Sequence, residues 1–182
     1  MKGIVFNLLE IVVCDAYGEE TWDALLARAG LEGAYTSLGS YPDNDLEKLV
    51  TAASRVLDQP GEKIVRWFGR HALPVLAQRF PEFFAPHGST RSFLLTLNDV
   101  IHPEVRKLYP GAEVPHFDFD ARQPDRLVMS YHSTRRLCAF GEGLIEGAAA
   151  HYHEEVLIEQ SECVLRGDQR CVLDIRLEAR RE

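Results

Sequence analysis

The sequence contains no apolar run that is both free of charge and long enough to span a bilayer, so it offers no membrane-inserted segment. Positive charge is also scarce: 20 Lys and Arg stand against 28 Asp and Glu, a formal net charge of −8. Non-specific nucleic-acid binding needs a basic surface that displaces counterions, and this composition argues against it. Common catalytic signatures are missing. There is no Walker loop and no serine nucleophile elbow, and Gly141-Glu142-Gly143 is too short for a dinucleotide fingerprint. His71, His87, His116, His132, His151 and His153 form no metalloprotease spacing. His151 and His153 flank Tyr152 in an expected helix, where they do not share a face. No repeat, linker or low-complexity stretch interrupts the chain.

What is present suits one domain. A chain of 182 residues, 46% hydrophobic and 26% charged, can bury a core and enclose a large apolar ligand. Lys2, the apolar run Ile4 to Val13 and then Cys14 resemble an export signal. Asn7 and Glu10 interrupt that run, however, and Val13 is too bulky for a cleavage site. The segment reads as an amphipathic first helix, and the expected compartment is the reducing cytoplasm. Cys14, Cys138, Cys163 and Cys171 are then not expected to form structural disulfides, and metal or redox roles gain weight.

The first half reads as helices. Val5, Leu8, Leu9, Val12 and Val13 recur at helical spacing over residues 2–17. Thr21 is a candidate cap for a short helix that stops at Gly30. After a loop over 33–43, the stripe Leu46, Leu49, Val50, Ala53, Val56, Leu57 predicts another helix, broken at Pro60-Gly61. A helix through Ile64, Val65 and Phe68 follows, with Pro74 as its kink or end. Ser89 or Thr90 caps the next, which carries Phe93, Leu94, Leu97, Val100 and Ile101 and has His102 late in it.

The second half changes period. His116–Phe119 and Arg126–Ser133 read as strands joined by Gln123-Pro124-Asp125, and 136–152 as a helix rich in small residues. Val156–Leu165 and Cys171–Leu177 alternate around Arg166-Gly167-Asp168, a hairpin pattern. The order predicts an α+β fold, with a mainly antiparallel four-stranded sheet covered on one face.

Three sets of residues are candidates for chemistry. Tyr131, Ser133 and Arg135 fall at alternate positions, which on a strand puts two hydroxyls and a planar guanidinium in one row. That row is either a clamp for an anionic ligand or a solvated strand end. His102 follows Val100 and Ile101 and precedes Pro103. It is either a hydrogen-bonded structural histidine or, as neutral imidazole, a haem-iron ligand. Cys163 and Cys171 sit on the two arms of the hairpin with seven residues between them, and Cys138 lies on the preceding helix. Three converging thiols suit zinc, and equally suit a set of small buried hydrophobes.

Taken together, these residues resemble the H-NOX family, the haem-nitric oxide/oxygen binding domains, of the bacterial stand-alone type and related to the haem domain of soluble guanylate cyclase. The resemblance covers essentially the whole chain, from Met1-Lys2-Gly3-Ile4 through the His102 helix, Pro115 and the helix around Leu144. Its most specific element is Tyr131-x-Ser133-x-Arg135, placed 29 residues after His102.

The resemblance implies one H-NOX domain over 1–182, with a distal helical part over 1–62 and a proximal part over 63–182, and haem b between them. It implies His102 as proximal iron ligand, with Tyr131, Ser133 and Arg135 on the haem propionates. Pro115 would press on the porphyrin, and Val5, Leu9, Pro74, Phe140 and Leu144 would line the pocket. Oxygen-holding members carry tyrosine at the position of Phe140, with tryptophan and asparagine at those of Leu9 and Pro74. A pocket without that donor implies a non-enzymatic sensor of nitric oxide that also takes carbon monoxide and does not stably hold oxygen. Nitric oxide weakens the bond trans to it, so the expected signal is release of His102. The reader of that signal would be a separate histidine kinase or cyclic-di-GMP enzyme. Similar members bind zinc through three cysteines and a histidine, and here that histidine's position holds Gln160. The cysteine cluster therefore implies zinc with an altered fourth position, or a thiol redox sensor.

Overall fold

The computed structural model describes residues 1–179, so the last three residues of the expected proximal part lie outside the described residues. Four helices come first: α1 (Gly3–Tyr17), α2 (Glu19–Ala29), α3 (Asp43–Leu57) and α4 (Gly61–Arg79). Their apolar stripes meet in one cluster, with Phe6, Leu9, Val13, Trp22, Leu49 and Phe68 buried together. Gly30 closes α2 in the left-handed region at φ 66°, as its place after the last apolar position predicts. Thr21 does not cap that helix. Gly18, at φ 86°, turns the chain early enough for α2 to begin at Glu19, and the Thr21 hydroxyl instead donates to the Tyr17 carbonyl at 2.8 Å. Pro74 does not end α4, which runs through it to Arg79.

The second half is a sheet with a helix on it. Strands β1 (His116–Asp120), β2 (Arg126–His132), β3 (Glu154–Glu162) and β4 (Cys171–Ala179) pair antiparallel throughout, in the order β1-β2-β4-β3. Alternation puts Phe117, Leu127, Met129, Tyr131, Leu173 and Ile175 on the inner face. Helix α7 (Cys138–His151) covers that face and adds Cys138, Ile145 and Ala148 to the same core. Between the two halves lie the short α5 (Thr90–Leu94), capped by the Ser89 side chain on the Ser92 amide, and α6 (His102–Leu108).

Helices α4 and α7 cross at very close range. A Cβ on Gly143 would overlap the Arg66 carbonyl, and one on Gly69 would overlap the Phe140 carbonyl. This explains the small residues of α7. Helix α4 also joins the two cores, since Phe68 and Ala72 belong to the helical cluster and Leu73 to the sheet cluster.

Three expected elements differ. β2 stops at His132, not Ser133, because its partners run out: Tyr131 faces Phe117 and Cys171, and His132 faces His116, the first residue of β1. Ser133 to Arg135 therefore turn away from the ladder, and Arg136 is left-handed at φ 54°. β3 ends at Glu162 after a bulge at Gln160, where the Cys163 amide donates to the Asp168 carboxylate at 2.7 Å instead of to a strand. Finally, the expected regular helix through His102 is interrupted after Leu94, where α5 stops. Residues Leu97–Ile101 then form a π-helical turn that runs directly into α6 at His102, with Pro103 in its first turn.

Candidate functional site

The π turn decides where His102 points. Adding one residue to a helical turn rotates everything after it by about 100° relative to a regular helix. Asn98 holds the turn to the sheet: its Nδ2 donates to the Phe117 carbonyl at 2.6 Å, and its Oδ1 accepts the Phe117 amide at 3.1 Å. The His102 ring then lies against Phe117, centroids 5.5 Å apart, and Phe117 lies 5.8 Å from Tyr131. Sequence reasoning missed Asn98. The available signal was a carboxamide set in an apolar run just before the histidine.

His102 is half-buried, and burial above all lowers its pKa from 6.5 to about 4. The Arg106 charge adds to the shift, and a contact with the Pro115 backbone opposes it. That contact closes no full hydrogen bond, since Nδ1 is buried without a partner among the described residues. The imidazole is thus neutral at pH 7, with its lone pair available to a metal. A buried, unpartnered ring nitrogen is costly unless something binds it, so this histidine fits the role of iron ligand.

The remaining expected residues fall on both sides of the α4–α7 crossing. Tyr131 is buried, and its pKa is raised mainly by burial. Ser133 Oγ accepts the Arg135 amide at 3.2 Å, which folds the turn after β2. Arg135 already acts as a carboxylate clamp, although not from a strand. Its Nε donates to Asp43 at 2.9 Å, its NH2 meets the Glu113 carboxylate at 2.9 Å, and its NH1 donates to the Glu113 carbonyl at 2.8 Å. Asp43 also takes the N-terminal ammonium at 2.6 Å, so Arg135 ties the start of α3 to the loop before β1. Pro115, Val5, Phe140 and Leu144 are half-buried, Leu9 is buried, and Pro74 is exposed. Phe140 stacks on Phe68 at 4.9 Å, while Leu9 and Phe68 line an apolar cavity of about 310 Å³ among α1 to α4.

The three cysteines do converge. Cys138 starts α7, Cys163 follows β3 and Cys171 starts β4, and their sulfurs all lie within 4.8 Å of one another. Sγ of Cys163 is 3.7 Å from that of Cys138 and 4.0 Å from that of Cys171. An ion about 2.3 Å from each of three sulfurs sets them about 3.8–4.0 Å apart, so the triangle fits one metal ion. Burial pushes the Cys138 thiol up to about 12 and raises Cys171 as well. A metal would therefore have to displace protons.

Comparison with known proteins agrees with this geometry. The haem-NO-binding family profile matches residues 2–160. The fold superposes on an H-NOX protein from S. oneidensis in the Fe(II)NO ligation state with a TM-score of 0.91 and 33% identity, covering 98% of this chain and 99% of that one. For the H-NOX from Shewanella woodyi in the Fe(II)CO ligation state the values are 0.81 and 34%, covering 97% and 94%. For the Fe(II) unliganded H-NOX protein from K. algicida they are 0.88 and 28%, covering 100% and 99%. Among the described residues no helix is long and apolar enough to cross a membrane. The profile match over most of the chain and the superposition over nearly all of it lead to one conclusion: the chain belongs to the haem-NO-binding, or H-NOX, family of haem-based gas-sensor domains.

Proposed function

We propose that this chain holds haem b through His102, senses nitric oxide and also takes carbon monoxide, and does not stably hold oxygen. The observation that carries this reading is the neutral, half-buried His102 ring whose Nδ1 is buried and unpartnered among the described residues. When bound, ferrous haem would supply an iron that takes a diatomic gas, with His102 holding the group. The chain's own residues do the rest. Tyr131, Ser133 and Arg135 would hold the propionates, and Arg135 now holds the carboxylates of Asp43 and Glu113. Pro115 would press on the porphyrin. Val5, Leu9, Phe140 and Leu144 offer no hydrogen-bond donor from their side chains, which disfavours polarised oxygen more than nitric oxide.

His102 is the output. A change in how His102 is held would free α6 to shift against the anchor that Asn98 makes on Phe117. The distal part, 1–62, then moves relative to the proximal part, 63–182, with α4 shared between the two cores. The reader is a separate signalling protein, a histidine kinase or a cyclic-di-GMP enzyme, and the domain itself is non-catalytic and cytoplasmic. A second reading, a metal- or redox-responsive thiol module, is favoured by the triangle of Cys138, Cys163 and Cys171.

Absorption spectra of the purified ferrous protein test the main reading. Wild type is expected to carry haem, to respond to nitric oxide and carbon monoxide, and to show no stable change on brief exposure to air. His102→Gly is expected to lose the protein ligand to iron. A wild-type protein without haem overturns the reading.

A further inference from the structure

Gln160 approaches the cysteine triangle from β3, and its orientation is set from outside. Arg166 grips it twice: one guanidinium nitrogen donates to the Gln160 carbonyl at 2.8 Å and another to Oε1 at 3.3 Å. A guanidinium only donates, so it must face the amide oxygen. The Gln160 amine is therefore turned inward, where Nε2 is buried without a hydrogen-bond acceptor among the described residues. That side chain reaches the Cys138 thiol without closing a full hydrogen bond to it.

We propose that this arrangement makes the cluster a three-sulfur site that favours a soft monovalent d¹⁰ ion, Cu(I), at the expense of Zn(II). The inference rests on the reading of the triangle as a metal site. An inward amide NH2 has no lone pair free for a metal, but it donates to a thiolate. Three sulfurs are thus the whole protein ligand set, with Gln160 acting on a sulfur from outside. Zn(II) in closed protein sites takes four ligands in a tetrahedron, so it lacks one here. Soft thiolates suit Cu(I), and three of them can complete its shell. Binding replaces the thiol protons, which leave to solvent. The sulfurs belong to residues 0–1% exposed, so water does not readily supply the missing ligand.

The test uses the full-length, reduced, haem-loaded protein. Zn(II) and Cu(I) are each titrated against a chromophoric chelator of known affinity. Wild type is compared with Gln160→His, which restores a fourth ligand, and with Arg166→Ala, which lets the amide rotate its oxygen inward. Cys163→Ala serves as the no-site control. Gln160→His is expected to tighten Zn(II) about tenfold or more, within the range seen for changes around metal sites, while Cu(I) affinity changes little. Arg166→Ala shifts Zn(II) in the same direction by less. X-ray absorption of the Cu(I) form is expected to show three sulfurs and no nitrogen neighbour. Zn(II) affinity that is equal in wild type and Gln160→His overturns the proposal while leaving the metal reading standing. Failure of wild type to bind either ion above Cys163→Ala overturns both.

Discussion

Asn98 and Phe117 are joined by two hydrogen bonds, 2.6 Å from Nδ2 to the carbonyl and 3.1 Å from the amide to Oδ1, so the first turn before His102 is fastened to the first strand of the sheet. The carboxamide mimics a neighbouring strand. It satisfies both backbone groups of Phe117 while its own backbone belongs to the π turn. Asn98→Ala is expected to cost about 1–3 kcal/mol in urea unfolding, because it leaves a backbone donor and acceptor of a buried residue unpaired. Asn98→Asp is expected to keep the bond from the Phe117 amide and lose the other. Equal stability of wild type and the alanine variant would show that water replaces the clasp.

His102 makes stability depend on pH in the haem-free protein. Its folded pKa is near 4, against 6.5 for an ordinary histidine. The unfolded chain therefore takes up the proton first as pH falls. The contribution is complete above pH 6.5 and is lost on descent towards pH 4. The urea midpoint of wild type is expected to fall more steeply through that window than that of His102→Gln. Curves that stay parallel over the whole range would remove the histidine as the source.

Gly143 faces the Arg66 carbonyl with no room for a methyl group. Backbone cannot yield as a flexible side chain does, so Gly143→Ala is expected to push α4 and α7 apart and lose about 1–3 kcal/mol, despite alanine's better helix propensity. Gly141, with nothing within 4 Å of its Cβ position, is the matched control. Gly141→Ala is expected to be neutral or stabilising by thermal melt.

Arg66 bridges the same two helices, meeting Glu142 at 2.8 Å and Glu146 at 2.6 Å. Glu142 is 5% exposed, and burial raises its pKa. Removing the cation strands a buried carboxylate, so Arg66→Met is expected to destabilise more than Glu142→Gln, which leaves a neutral group. Chemical denaturation of the two single variants gives the ranking, and a reversed order would refute it.

Phe140→Tyr tests the gas preference. It places a phenol where only a ring now packs on Phe68. The ferrous variant is expected to gain a spectral change in air that wild type lacks, with nitric oxide binding retained. No change in air would mean that residue 140 lies too far from the gas to donate.

Much of this protein could be read along the chain because its determinants are local. The helical stripes of α1 and α3, the stop at Gly30 and the alternation in β2 and β4 follow from side-chain period and backbone freedom within a few residues. His102, Cys138, Cys163 and Cys171 stand out by residue type, but spacing leaves each between a structural and a ligand role, and the family resemblance singles out His102. Sequence alone therefore decided the α+β order of elements and the residue types available for chemistry.

Tertiary structure decided the rest, because the deciding contacts join distant segments. Where β2 ends depends on where β1 and β4 begin, so the strand-face argument for Ser133 and Arg135 failed, and Arg135 pairs with Asp43 and Glu113 of its own chain. The π turn exists where Asn98 can reach Phe117, 19 residues away. The role of Gln160 depends on which end of its amide Arg166 holds, and a one-letter code does not record the direction of an amide.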